Sequence, residues 1–115
     1  MGDCVRRRSR IDANQPAITR AMRQLGAVVT PIHTLGKGVP DLLVSWRQNW
    51  FVIEVKDGAK PPSDRQLTPD EREWIGAQKA PVHIIESVEQ AVSLLIGYEF
   101  SARSRGTASA RAVAG

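Results

Sequence analysis

Apolar side chains recur along the 115-residue chain with two different periods. Ile18, Met22 and Leu25 follow one another at helical spacing, which predicts a helix with Asp12 or Asn14 as its cap, Pro16 in its first turn and Gly26 as its stop. Ala27 to Ile32 is a β-prone run, and Pro31, which has no N–H to give to a ladder, places it at a sheet edge or at its own end. Residues 42–46 and 50–55 are apolar runs on either side of the polar turn Arg47-Gln48-Asn49, so this stretch predicts a β-hairpin, its second strand central and buried. Thr68-Pro69-Asp70-Glu71 is a capping box with proline at the first helical position; Trp74 and Ile75 begin the buried side of that helix. Pro81 to Ile85 predicts a further strand, with His83 pointing outward or capping a hydrogen bond. Ser87-Val88-Glu89-Gln90 is a second capping box, opening a helix through Ile96 that stops at Gly97, with Val88, Ala91, Leu94 and Leu95 on its apolar face. The order helix, strand, strand, strand, helix, strand, helix is an α/β fold: a mixed central sheet flanked by helices, with the last strand parallel to the second hairpin strand because a helix joins them.

The hairpin carries the chemistry. Asp41 stands at the start of its first strand and Glu54 near the end of its second, so antiparallel pairing brings the two carboxylates close. Lys56 is two residues past Glu54 and shares its face. Carboxylates among apolar neighbours raise each other's pKa unless a cation compensates. Such oxygen donors suit Mg²⁺ completed by water and phosphate. A salt bridge on a half-exposed strand is the plainer account of Glu-x-Lys alone, and Pro40-Asp41 one hairpin upstream argues against it. Lys37, between Gly36 and Gly38, can meet a phosphate, although the spacing is not that of a Walker loop. Lys60 and Arg65, in the polar loop that leaves the second hairpin strand, can project over the site toward a nucleic-acid backbone. A loop histidine such as His33 is more often neither base nor ligand than either.

Pro40-Asp41 followed by Glu54-Val55-Lys56 resembles the PD-(D/E)xK nuclease signature. Residues Gly36 to Val44 together with Ile53-Glu54-Val55-Lys56 resemble, more closely, the VRR-Nuc family in its short stand-alone phage form, over about residues 11 to 96. The resemblance implies a restriction-endonuclease-like core. It implies that Asp41, Glu54 and the main-chain carbonyl of Val55 bind Mg²⁺ or Mn²⁺, and that Lys56 orients the attacking water, leaving a 5′-phosphate and a 3′-hydroxyl. In that superfamily the helix before the sheet often adds an acidic or amide group, for which Asp12, Asn14 and Gln15 are the candidates; capping accounts for Asp12 or Asn14, but not for Gln15. Family members often carry glutamine where this chain has Glu71, which leaves Glu71 either a support for the lysine or only a capping-box residue. The phage forms resemble resolvases of four-way (Holliday) junctions, which implies a C2 homodimer. The other readings are a nuclease of the same fold acting on duplex, nicked or flapped DNA, and a DNA-binding module without catalysis.

Composition adds limits. A formal charge of +4 favours a polyanionic partner only mildly. The single cysteine, Cys4, excludes an internal disulfide framework and a Cys-based zinc cluster, and fits a reducing, cytoplasmic setting in a phage host or bacterium. No apolar run approaches a membrane span, and the N-terminus is not expected to be a signal peptide. Residues 1–10, with Arg6, Arg7, Arg8 and Arg10, read as a basic flexible arm; residues 11–97 form the expected nuclease domain; residues 98–115 read as a disordered tail. The chain is too short for a separate sequence-reading domain, so shape and phosphate contacts are expected to dominate DNA recognition.

Overall fold

The structure, a computed structural model, describes residues 11–104, with side chains through Tyr98. The basic arm and the end of the tail, residues 105–115, lie outside the described residues.

Helix α1 spans Gln15–Gln24, with Pro16 in its first turn, where a missing N–H costs nothing. Ile18 and Met22, one turn apart, are fully buried. Strand β1 (Val28–Pro31) follows and pairs antiparallel with β2 (Leu42–Trp46), which pairs antiparallel with β3 (Asn49–Val55). Helix α2 (Pro69–Gly76) leads to β4 (His83–Ile85), which lies parallel to β3. The sheet order is β1-β2-β3-β4, so β3 is interior and proline-bearing β1 is an edge. Helix α3 spans Val88–Ser104 and packs with α1 on one face of the sheet. Alternation along β3 assigns its faces: Phe51, Ile53 and Val55 join Leu42, Val44, Ile18, Met22, Ala91 and Leu95 in the core.

The other face of β3 shows a gradient. Trp50 is 71% exposed, Val52 is half-buried, and Glu54 is only 3% exposed. The sheet is therefore open at the turn end of the hairpin and covered at the end where the carboxylates lie. Part of the cover is α2: a Cβ on Gly38, whose φ is +82°, would collide with the Asp70 carbonyl, so the loop before β2 runs directly against the first turn of α2.

Four local expectations are corrected. The hairpin turn is two residues, not three: Trp46 pairs with Asn49, while Arg47 and Gln48 take φ of 48° and 70°. That left-handed pair matches the strand twist, and the Arg47 guanidinium lies 5.0 Å over the Trp46 ring. Helix α3 runs through Gly97 rather than stopping there; Tyr98 packs edge-on to Phe51 at 5.2 Å, an anchor that offsets glycine's helix cost of about 1 kcal/mol. Residues 98–104 are thus helical, not tail. His83 faces the Phe51 ring at 5.8 Å instead of pointing outward, and burial pushes its pKa down. Trp74 and Ile75 are half-buried, because α2 lies at the margin of the sheet rather than over its centre.

Candidate active site

Strand register brings the acidic groups together. Leu42 pairs with Ile53, so Asp41 stands beside Glu54 one step further along the ladder. Asp41 is held on three sides. Its N–H donates to the Ile53 carbonyl (3.1 Å), its carbonyl accepts from Ile32 N–H (2.8 Å), and its Oδ2 accepts from Val55 N–H (2.8 Å). The Lys56 N–H continues the pairing beyond β3 by donating to the Ile85 carbonyl at 3.0 Å. Asn14, at the N-cap position of α1, makes no side-chain cap bond. Its amide donates instead to the carbonyls of Lys56 (3.1 Å) and Glu86 (3.0 Å), tying the helix to the ends of β3 and β4.

Lys56 is nearly buried, and its ammonium sits 2.8 Å from Glu71 Oε1 and 3.6 Å from Glu54 Oε2. Glu71 Oε1 also accepts from the Thr68 N–H at 2.9 Å, while Thr68 Oγ1 accepts from the Glu71 N–H at 3.2 Å. The capping box therefore aims the glutamate at the lysine: one oxygen closes the helix end and holds Nζ. Four side chains, from the residue before β2, from β3 and the residue after it, and from α2, form a single cluster, Asp41, Glu54, Lys56 and Glu71.

Its electrostatics follow from crowding. Burial, then the charges of Asp41 and Glu71, push the Glu54 carboxyl up to about 9, the attraction of Lys56 notwithstanding. Burial also raises Asp41, against the bonds from Val55 and Glu54 that favour its ionised form. Glu71 goes the other way: burial opposes its charge, but the bonds from Lys56, Thr68 and Glu54 outweigh it. Burial likewise opposes the charge on Lys56, and the bond to Glu71 with the neighbouring carboxylates more than restores it. At neutral pH the cluster thus holds a cationic lysine, an anionic Glu71 and a protonated Glu54 that faces both Asp41 and Glu71.

Asp12 borders the cluster. Its charge acts on Asp41 and Lys56, and its Oδ1 lies 3.6 Å from Lys60 Nζ. Arg65 is engaged within the fold, donating to the Lys60 carbonyl (2.8 Å) and pairing with Glu86 (3.1 Å), which pins the loop after β3 to the end of β4. Lys37 is exposed, with φ of 55°, in the loop that meets α2. Gln15 is buried and makes no hydrogen bond to the cluster. His33, at the start of a short 3-10 turn, lies away from it beside Gln15. By sequence Asn14 reads as a cap or a site group; that it braces the backbone of Lys56 has no local signature.

Among the described residues no three His, Cys, Asp or Glu side chains are arranged to hold a metal ion, and no helix is long and apolar enough to cross a membrane. The oxygen donors at hand are the two carboxylates of Asp41 and Glu54 and neighbouring carbonyls. Two acids sharing a proton in a buried place are a donor set that fits a hard divalent ion, whose charge would take the place of that proton.

No protein-family model and no curated protein matches the chain. Among solved structures it is similar to one described as a VRR_NUC domain, with 30% sequence identity over 73% of this chain and 91% of that one, at a TM-score of 0.48.

Proposed function

Since the chain belongs to the VRR-Nuc family, a family of nuclease domains, we propose that it is a Mg²⁺- or Mn²⁺-dependent endodeoxyribonuclease selective for branched DNA, acting as a Holliday-junction resolvase. The observation that carries this reading is the meeting of Asp41, Glu54 and Lys56 at one end of the hairpin, with Glu71 holding the lysine. Asp41 and Glu54 hold the divalent ion, together with the carbonyl of Val55. When bound, that ion supplies charge neutralisation at the scissile phosphate and acidifies water. Lys56, kept cationic by Glu71, steadies a water and the charge that builds on the phosphate during in-line attack. Asn14 keeps the Lys56 backbone in register, so the ammonium does not drift from the two acids. Lys37 and Lys60 offer cationic contacts to the strand backbone from loops beside the cluster, and Arg65 shapes one of those loops.

Symmetric cutting of a four-way junction calls for two copies. Of the three tryptophans, Trp46 is buried with its Nε1 donating to the Leu25 carbonyl (3.0 Å) and Trp74 is half-buried, whereas Trp50 stands out from the open sheet face in one row with Ser45 and exposed Val28, a surface suited to a second copy. The test is incubation of four-way junction, flapped, duplex and single-stranded DNA with Mg²⁺, beside a Glu54→Ala control. Junctions cut in paired, symmetric positions are expected. Equal cutting of all substrates would refute the resolvase assignment, and cutting of none would leave a DNA-binding module.

A further inference from the structure

A second site adjoins the cluster. Between α1, β1 and the turn after β1 lies an open groove of about 550 Å³, a size that suits a nucleotide. Its lining is largely apolar, with Ile11 and the rings of Pro16 and Pro31 contributing to it. Two of its lining residues, Gln15 and His33, carry buried polar atoms with no partner among the described residues. Gln15 is only 4% exposed, and its Oε1 is buried with no hydrogen-bond partner; Nδ1 of His33 is in the same condition. A buried polar atom without a partner costs about 1–3 kcal/mol, a cost that a ligand completing the bond removes. Arg20 stands at the rim with no partner among the described residues, and Arg23 beside it donates to the Val29 carbonyl at 2.9 Å. Among the described residues no acidic side chain lines the groove.

Main-chain connections fix where this groove lies. Gln15 is three residues past Asp12, whose charge is felt at Asp41 and Lys56. On the opposite wall, Ile32, between Pro31 and His33, donates its N–H to the carbonyl of Asp41 itself. The segments that line the groove thus run on toward the cluster at both places, although none of the four cluster side chains lines the groove itself. We propose that the groove receives one unstacked nucleotide of the DNA strand next to the cleaved phosphate: its base between Pro16 and Pro31, its polar edge on Gln15 and His33, its phosphate at Arg20. Resting on the nuclease reading above, this assigns the preference for branched DNA to a pocket that only an unpaired or easily unstacked base can enter, because extracting one from an intact duplex costs a few kcal/mol.

The test uses the full chain without divalent ion, so that nothing is cut, and a short single-stranded oligonucleotide carrying one 2-aminopurine. Binding is expected to raise its fluorescence as the base leaves its stack. Gln15→Leu, which removes the unpaired polar atom at nearly constant volume, should melt no lower than the wild type, lose most of the rise and bind roughly tenfold more weakly. Arg20→Gln should lower the slope of log affinity against log salt by about 0.7. An unchanged signal and affinity in Gln15→Leu overturns the proposal; so does a rise that appears only after residues 1–10 are removed, since the chain itself would then fill the groove. A chain that binds as expected but cuts nothing with Mg²⁺ refutes the nuclease reading and keeps the groove. Junction cutting that Gln15→Leu leaves unaltered refutes the groove alone.

Discussion

Replacing Glu54 with glutamine should stabilise the metal-free protein while abolishing its activity. Glutamine reproduces the protonated acid, with a donor for Asp41 and an acceptor for Lys56, and removes the ionisable group. The folded state holds the Glu54 proton up to about pH 9, whereas an unfolded chain releases it near 4.5. The folded state thus binds more protons than the unfolded one between those values, so the contribution to stability is fully present below about 4.5 and is lost as pH rises toward 9. At ~1.4 kcal/mol per pH unit, the loss by pH 8 is bounded at about 5 kcal/mol. Local rearrangement and entering water reduce it, and about 2 kcal/mol is a working figure, equivalent to roughly 10 °C in Tm for a domain of this size. Thermal melts in EDTA from pH 5 to pH 9 should show the wild type losing stability with rising pH. Glu54→Gln should lack that loss and keep only the slopes common to both proteins: a smaller fall due to Asp41, which burial also raises, and a rise toward pH 6.5 due to His83, which burial lowers. Lys56 and Glu71 do not contribute in this window: the raised value of the first and the lowered value of the second put their transitions above and below it. Mg²⁺ should restore the wild type at pH 8 and leave Glu54→Gln unmoved. Identical pH profiles for the two proteins would refute the buried, protonated Glu54 on which the cation-binding argument stands.

Three more outcomes follow from the same geometry. Glu71→Ala removes the capping box and the closest counter-charge of Lys56, so its Tm should fall by an amount equivalent to about 3 kcal/mol and its cleavage rate by at least tenfold, whereas Glu71→Gln, which keeps an acceptor for both Thr68 and Lys56, should retain most of both; equal losses in the two would exclude the shared-oxygen arrangement. Lys56→Met should preserve binding of junction DNA in a gel-shift assay while lowering cleavage by roughly 10²-fold or more, and cutting at the wild-type rate would remove the lysine from the chemistry. Gly38→Ala should destabilise by about 2 kcal/mol or more in denaturant unfolding, since its Cβ meets the Asp70 backbone and its φ is left-handed; a neutral result would mean that α2 does not rest on this loop.

Much of the architecture is legible in local sequence, because its signals are local. Helical spacing of Ile18 and Met22, the Thr68 to Glu71 capping box, and apolar runs around a polar turn each act within a few residues, and together they specify the order of elements and the parallel return of β4. The approach of Asp41 to Glu54 is legible for the same reason, since a hairpin carries its own register. Tertiary packing alone settles the rest. Whether Glu71 merely closes a helix or also grips Lys56 depends on α2 coming to rest against Gly38, and the capping-box sequence is the same in either case. Asn14 reaches partners 42 and 72 residues away, and its preference for a helix cap says nothing of them. The groove that holds Gln15 exists only where α1 and the turn after β1 lean on the same sheet edge. Backbone preference and periodicity are properties of short segments, while the protonation of Glu54 and the unmet bond of Gln15 arise from burial, which depends on the whole chain having folded.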